Sequence, residues 1–152
     1  AKNGYGLIGS LAISKNEIKN IFDLYKSFNP IKPLSYRLAR GINIGYDKEE
    51  VINEARYCAD MFLKSMIASK DTNPTLVKLL TTEYIDIRNK LFDSNKLFEN
   101  AIYGSPKECI EQINTLKNEF GIEAILLKPL CTSTKRAKEI LDLYTKEVKP
   151  YV

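Results

Sequence analysis

The stretch that most limits what this chain can become is Gly104 to Val152, where a helical pattern, a short apolar run and a second helical pattern follow one another. Ser105-Pro106-Lys107-Glu108 is a helix start. The serine hydroxyl accepts from an orphan N–H, proline suits the first helical position, and Glu108 reaches back to close a capping box. Ile110, Ile113, Leu116 and Phe120 then recur at helical spacing. Gly121 supplies the left-handed residue that ends a helix without a Cβ penalty. The run Ala124-Ile125-Leu126-Leu127 has no polar positions to show to water, so it reads as a strand buried on both faces. Ala137, Ile140, Leu141, Tyr144 and Val148 give the last helix one apolar stripe. Helix, buried strand and helix in this order form the repeating unit of a parallel α/β sheet.

Upstream, the same unit recurs. Gly4-Tyr5-Gly6-Leu7-Ile8-Gly9 matches G-x-G-x-x-G, but these glycines lead into the apolar run Leu7 to Ile13 instead of opening a helix, so the dinucleotide reading gives way to small residues in a crowded strand. Ser14 and Glu17 form a capping box for a helix to Phe28, with Ile18, Ile21, Phe22 and Tyr25 on its inner face. Asn29-Pro30-Ile31-Lys32-Pro33 breaks it. In Leu34 to Ile44, Tyr36, Leu38, Arg40, Ile42 and Ile44 alternate with Ser35, Arg37, Ala39, Gly41 and Asn43. The first set is a face for helices, and the second is small or polar, as a barrel interior tolerates. Arg37 and Arg40 invite a phosphate, but a strand-borne arginine paired to a neighbouring carboxylate is the preferred reading. Asp47 and Glu50 cap a helix to about Ala68, and turn formers fill Ser69 to Pro74. Thr75 to Asn100 reads as a helical insertion with a break near Asp93-Ser94-Asn95, whose aromatics Tyr84, Phe92 and Phe98 are local core. Ala101-Ile102-Tyr103 is a short strand into the tail.

The units are therefore 7–28, 34–68, 101–120 and 124–149, with the insertion at 75–100, in a single domain over 1–152. No tight hairpin signal separates them, and parallel strands require such crossovers. An eight-fold (β/α)8 barrel takes about 250 residues, so the fold class is α/β, four parallel strand–helix units making the C-terminal half of a TIM barrel. An open α/β sheet in doubly wound order is the alternative; it predicts helices on both faces, where a barrel predicts them on the outside only.

Several of these residues carry a family resemblance. Gly104-Ser105-Pro106-Lys107-Glu108-Cys109-Ile110, Phe120-Gly121-Ile122, Leu141-Asp142-Leu143-Tyr144 and Val148-Lys149-Pro150-Tyr151 resemble the C-terminal end of bacterial-luciferase-like flavin monooxygenases. Tyr5-Gly6-Leu7 and Leu24-Tyr25 extend the likeness toward the N-terminus. The resemblance covers most of this chain but only the second half of a family member. It implies a flavin-dependent monooxygenase or oxidoreductase, with FMN, or a deazaflavin, lying at the C-terminal ends of the strands and acting with O2 on a small organic substrate. Most catalytic and phosphate-binding groups would belong to the first half, so no catalytic residue is assigned here. Ser10, Leu11 and Ala12 would lie near the flavin ring. Lys128 would add a positive charge beside an anionic cofactor, against the alternative of a capped or solvated lysine. No large aromatic stands at the Ser10 strand end, unlike in the luciferase subunits. A chain opening on Ala rather than Met is expected to be either a piece of a longer protein or a processed form. Its partners would be the missing N-terminal half-barrel or, in a second reading, another copy of a non-catalytic half-barrel module, since a cut sheet leaves two edges unpaired.

Composition narrows the rest. The net charge of +4 comes from lysines spread over every expected helix, which reads as solvated faces and not as a nucleic-acid stripe. The densest patch, Lys135-Arg136 with Lys138, has no aromatic neighbours for stacking bases. No apolar run approaches the ~20 residues of a membrane span. Cys58, Cys109 and Cys131 lack CxxC spacing, which suits a reducing compartment, the cytoplasm, and neither disulfides nor a metal. Histidine is absent, and with it the commonest metal ligand and general base.

Overall fold

The computed structural model describes residues 6–30, 32–71 and 93–152. The order is β1 (Leu7–Gly9), α1 (Lys15–Ser27), β2 (Tyr36–Ile44), α2 (Lys48–Asp71), α3 (Ser94–Glu99), β3 (Ile102–Gly104), α4 (Pro106–Phe120), β4 (Ala124–Pro129) and α5 (Thr134–Leu143). A π turn (Tyr144–Val148) and a 3-10 turn (Lys149–Tyr151) end the chain. Tyr84 and Phe92 of the expected insertion, with Gly4 and Tyr5, lie outside the described residues. No helix among the described residues is long and apolar enough to cross a membrane.

The helix ends form as their side chains dictate. Both expected capping boxes close: Ser14 N donates to Glu17 at 2.8 Å and Glu17 N to Ser14 Oγ at 3.2 Å. Ser105 N donates to Glu108 at 2.8 Å and Glu108 N returns to Ser105 Oγ at 3.4 Å. Asp47 accepts from Glu50 N at 3.0 Å at the head of α2. Gly121 takes φ 59°, and its N–H closes onto Lys117 O at 2.8 Å.

Every described strand pairing is parallel, and all of them involve β2. Leu7 N donates to Ser35 O and Gly45 N to Gly104 O, using odd-numbered positions at the two ends of β2. Glu123 N and Leu130 N donate to Tyr36 O and Ile42 O, which are even-numbered. Successive peptide groups of a strand point to opposite edges, so β1 and β3 share one edge of β2 and β4 occupies the other. A simple arc of a barrel would seat β4 beside β3. Here β3 is three residues long and meets only Ile42 to Ile44, while β4 pairs with β2 from Arg37 to Ile42.

The two faces of β2 are covered by different helices. Tyr36, Leu38, Ile42 and Ile44 join Ile18 and Tyr25 of α1, Cys109, Ile113, Leu116 and Phe120 of α4, and Ile140 of α5 in the main core. The opposite face is roofed toward its C-terminal end by Ala55 and Ala59 of α2 and Leu97 and Phe98 of α3, packed with Leu130. Gly41 lies under that roof because a Cβ there would stand 2.5 Å from Leu130 Cδ1. Helices thus lie on both faces, the arrangement attached above to the open sheet.

Two strand expectations are corrected. β4 is not buried on both sides: Ile125 and Leu127 face the main core, but Ala124, Leu126 and Lys128 are exposed, Leu126 by 49%. The α2 cover meets β4 at Lys128, whose Nζ lies 3.3 Å from the centre of the Phe62 ring. β1 ends at Gly9 instead of reaching Ile13, because the next carbonyls turn inward to a buried arginine.

Hydrogen bonds from Ser105 and the Lys48 ammonium, 3.0 Å away, hold the Glu108 carboxyl down at about 2. A folded pKa below the ordinary 4.5 gives stability that is present above that value and lost as pH falls toward about 2. Glu108→Gln can keep the capping box but loses the charge, and with solvent screening of this partly exposed group it should lower stability by about 0.5 kcal/mol at neutral pH. Urea titrations should show the gap between variant and parent closing as the pH drops through that window.

Candidate functional site at the strand ends

Arg40 is the largest fully buried side chain of the chain's described residues, 1% exposed. Among the described residues no carboxylate meets it, where the sequence led to the expectation of such a pairing. Its guanidinium donates instead to the carbonyls of Ser10 (3.2 Å), Leu11 (3.4 Å), Ile13 (2.8 Å) and its own neighbour Ala39 (3.2 Å). Burial lowers its pKa to about 10, with the nearby Tyr36 pulling the other way, so the cation persists at neutral pH. Four carbonyl dipoles stand in for a counter-ion, a geometry that the planar five-donor fork of arginine suits. The β1–α1 loop is thereby pinned to β2. Arg37, on the opposite face, is exposed.

That loop holds three of the four residues assigned to a cofactor. Ser10 is exposed, and Leu11 and Ala12 are half-buried against the α2–α3 cluster. Asn100 of the α3 end donates to Ala12 O at 3.4 Å. Ser10 and Ala12, with Ile13, Glu17, Asn20 and Lys96, border a recess of about 310 Å³. Lys128 does not border it. Its ammonium sits on Phe62, and burial lowers its pKa. The small Ser10 and Ala12 side chains leave room for a flat ring, and among the described residues Lys96 is the one cation at this recess.

A second polar assembly, which sequence reasoning did not single out, closes the C-terminal ends of β2 and β4. Glu54 of α2 accepts from Asn43 Nδ2 (2.9 Å), Arg136 Nε (3.0 Å), Thr132 N (3.0 Å) and Thr132 Oγ1 (3.1 Å). Arg136 also donates to Asn43 Oδ1 (3.0 Å) and Ile44 O (2.9 Å), and Asn43 donates to Leu130 O (2.9 Å). Burial alone would raise the Glu54 carboxyl; the hydrogen bonds outweigh it and leave the group lowered. Asn43 is 0% exposed in a strand otherwise flanked by isoleucines, and that misplaced polarity was the available signal. Arg136 was concealed in what read as a solvated basic patch. Every polar arm of the assembly has a protein partner, so it ties α2, β2 and α5 together and leaves no group free for a ligand.

Another recess, about 490 Å³, runs beside β3 and is bordered by Arg40, Lys15, Lys48, Tyr103, Glu108 and Gln112. Its basic side chains are already engaged: Lys48 with Glu108 at 3.0 Å, Lys15 with Glu119 at 3.2 Å, and Arg40 with the loop carbonyls. Along it, the Gln112 amide accepts from Tyr103 N at 3.3 Å and donates to Tyr103 O at 2.8 Å, covering the β3 edge as a neighbouring strand would. No group of three or more His, Cys, Asp or Glu side chains among the described residues is arranged to hold a metal.

No protein-family model matches the chain, and no curated protein does. Among solved structures, it is similar to the monooxygenase RslO1 from Streptomyces bottropensis, with a TM-score of 0.57 at 17% identity over 98% of this chain. The chain spans 42% of that neighbour's length. At such identity the likeness concerns the fold: a parallel α/β arrangement of this kind occurs in a monooxygenase.

Replacing Arg40 by Met keeps the volume and removes the donors, leaving buried carbonyls unpaired. The Arg40→Met variant should lose about 3 kcal/mol in urea denaturation. Its loop amides at Leu11 to Ile13 should exchange faster than in the parent even under native conditions.

Proposed function

We propose that this chain is the C-terminal part of a luciferase-like, flavin-dependent monooxygenase or oxidoreductase, built on a parallel α/β sheet. The observation that carries the reading is that nearly the whole chain, 98%, superposes on less than half, 42%, of a monooxygenase. The helix–strand–helix tail with its Gly-Ser-Pro-Lys-Glu start and Val-Lys-Pro-Tyr finish supports the family part of the proposal. FMN, or a deazaflavin in the same fold, would supply the redox chemistry on a small organic substrate. The part of this chain in that chemistry is positional. Ser10 and Ala12 give the recess a small-residue wall, and Leu11 between them packs toward α2 and α3. Arg40 keeps their backbone from shifting, and α3 closes behind through Asn100. A wall held in this way suits orientation of a ring and exclusion of water. Phosphate binding and any proton transfer fall to residues outside the described set.

One observation favours a second reading, a half-barrel module that assembles with another half. Ile8 is 68% exposed and Leu126 49%, on the same sheet face as Arg37, toward the N-terminal end that the α2–α3 roof leaves exposed. Such a surface suits a covering partner.

Purification of the intact gene product decides between these. The enzyme reading expects flavin absorbance in the purified protein or on titration with FMN, and flavin-dependent oxygen consumption. Absence of any bound or bindable flavin or deazaflavin, with mass photometry reporting a self-associated species, would favour the module.

A further inference from the structure

β4 has one edge open. Its ladder with β2 runs unbroken from Arg37↔Ala124 to Ile42↔Pro129, and at its end Leu130 N donates to Ile42 O at 2.8 Å. Successive peptide groups alternate, so those of Ala124, Leu126 and Lys128 also point to β2, while those of Ile125 and Leu127 point away. Glu123 N, just ahead of the strand, turns inward as well, to Tyr36 O. Among the described residues, β2 is the one strand beside β4, and no loop or side chain bonds to the outward groups. The other rim of the sheet is treated differently. At β3, the Gln112 amide takes both peptide groups of Tyr103, and β1 is only three residues long. β4 has six residues; Ala124 to Leu127 carry no charge, and Leu126 stands 49% exposed. An apolar edge with free donors and acceptors is a template for another strand.

We infer that β4 pairs with β4 of a second copy of this chain, antiparallel about a two-fold axis at Leu126. The strand is self-complementary in that register. Ile125 of each chain meets Leu127 of the other, and because both carry outward groups, each such pair exchanges both of its N–H···O bonds. Leu126 faces its own copy across the axis as a non-hydrogen-bonded pair, the kind in which side chains come closest. Ala124 lies opposite Lys128, a small side chain beside a long one. Pro129 has no N–H to give; it falls outside the bonded pairs and ends the ladder. The pairing uses the β4 edge of both chains, so assembly stops at a dimer with one continuous sheet. None of this depends on the flavin reading, because FMN titration reports on other residues and either test can fail alone.

Sedimentation velocity on the full 152-residue chain, run from low to high micromolar concentration, tests the pairing together with amide hydrogen exchange. A concentration-dependent dimer is expected, and the Ile125 and Leu127 amides should become protected as it forms. Those of Leu126 and Lys128, already bonded to β2, should change far less. Leu126→Lys sets two ammonium groups against each other at the axis and should weaken the dimer by about tenfold or more. The parent's exchange pattern stands whether or not that variant folds. A chain that stays monomeric at every concentration, a dimer that leaves Ile125 and Leu127 unprotected, slow exchange of those two amides in the monomer, or growth beyond a dimer would overturn it.

Discussion

Everything in this fold leans on β2. It pairs along both edges and is covered on both faces, so it is the strand through which every other strand is positioned. A strand in that position must satisfy its polar atoms without water. Arg40 and Asn43, its buried polar side chains, do so by reaching outward to the structure around them. Arg40 collects the carbonyls of the β1–α1 loop, and Asn43 joins Glu54 and Arg136 at the strand end. The two contacts convert a desolvation cost into positional information: one fixes a loop, the other fixes two helices. Tyr36 Oη is the exception, buried without a partner and pressed against Gly9.

How much of this was legible depended on how local the cause was. Helix starts at Ser14 and Ser105 and the stop at Gly121 follow from a few adjacent side chains, and they form as read. The alternation in β2 likewise separates its two faces correctly, because period two is a property of the strand itself. Strand neighbours and strand burial are not local. The run Ala124 to Leu127 reads as doubly covered, yet whether a roof arrives depends on where the helices lie, and Ala124 and Leu126 are left exposed. The same non-locality hides Arg40, whose partners are carbonyls, groups that carry no sequence signature.

Among the cofactor assignments, the distinction is similar. Ser10, Leu11 and Ala12 are neighbours in sequence and remain together on one pinned loop beside a recess. Lys128, grouped with them on the strength of strand-end geometry, has its ammonium over the Phe62 ring of α2. The flavin reading thus rests on the loop and on the fold-level likeness to a monooxygenase, not on a cluster of charged groups.

The central claim is that β2 is the innermost strand, reached by solvent only when the whole domain opens. Native-state hydrogen exchange on the amides of Leu38 to Ile44 addresses it directly. These amides are predicted to exchange slowest of all, with opening free energies equal to the global unfolding value, while β1 amides exchange through far cheaper local opening. Exchange of the β2 amides as fast as those of Ile8 and Gly9 would contradict the account.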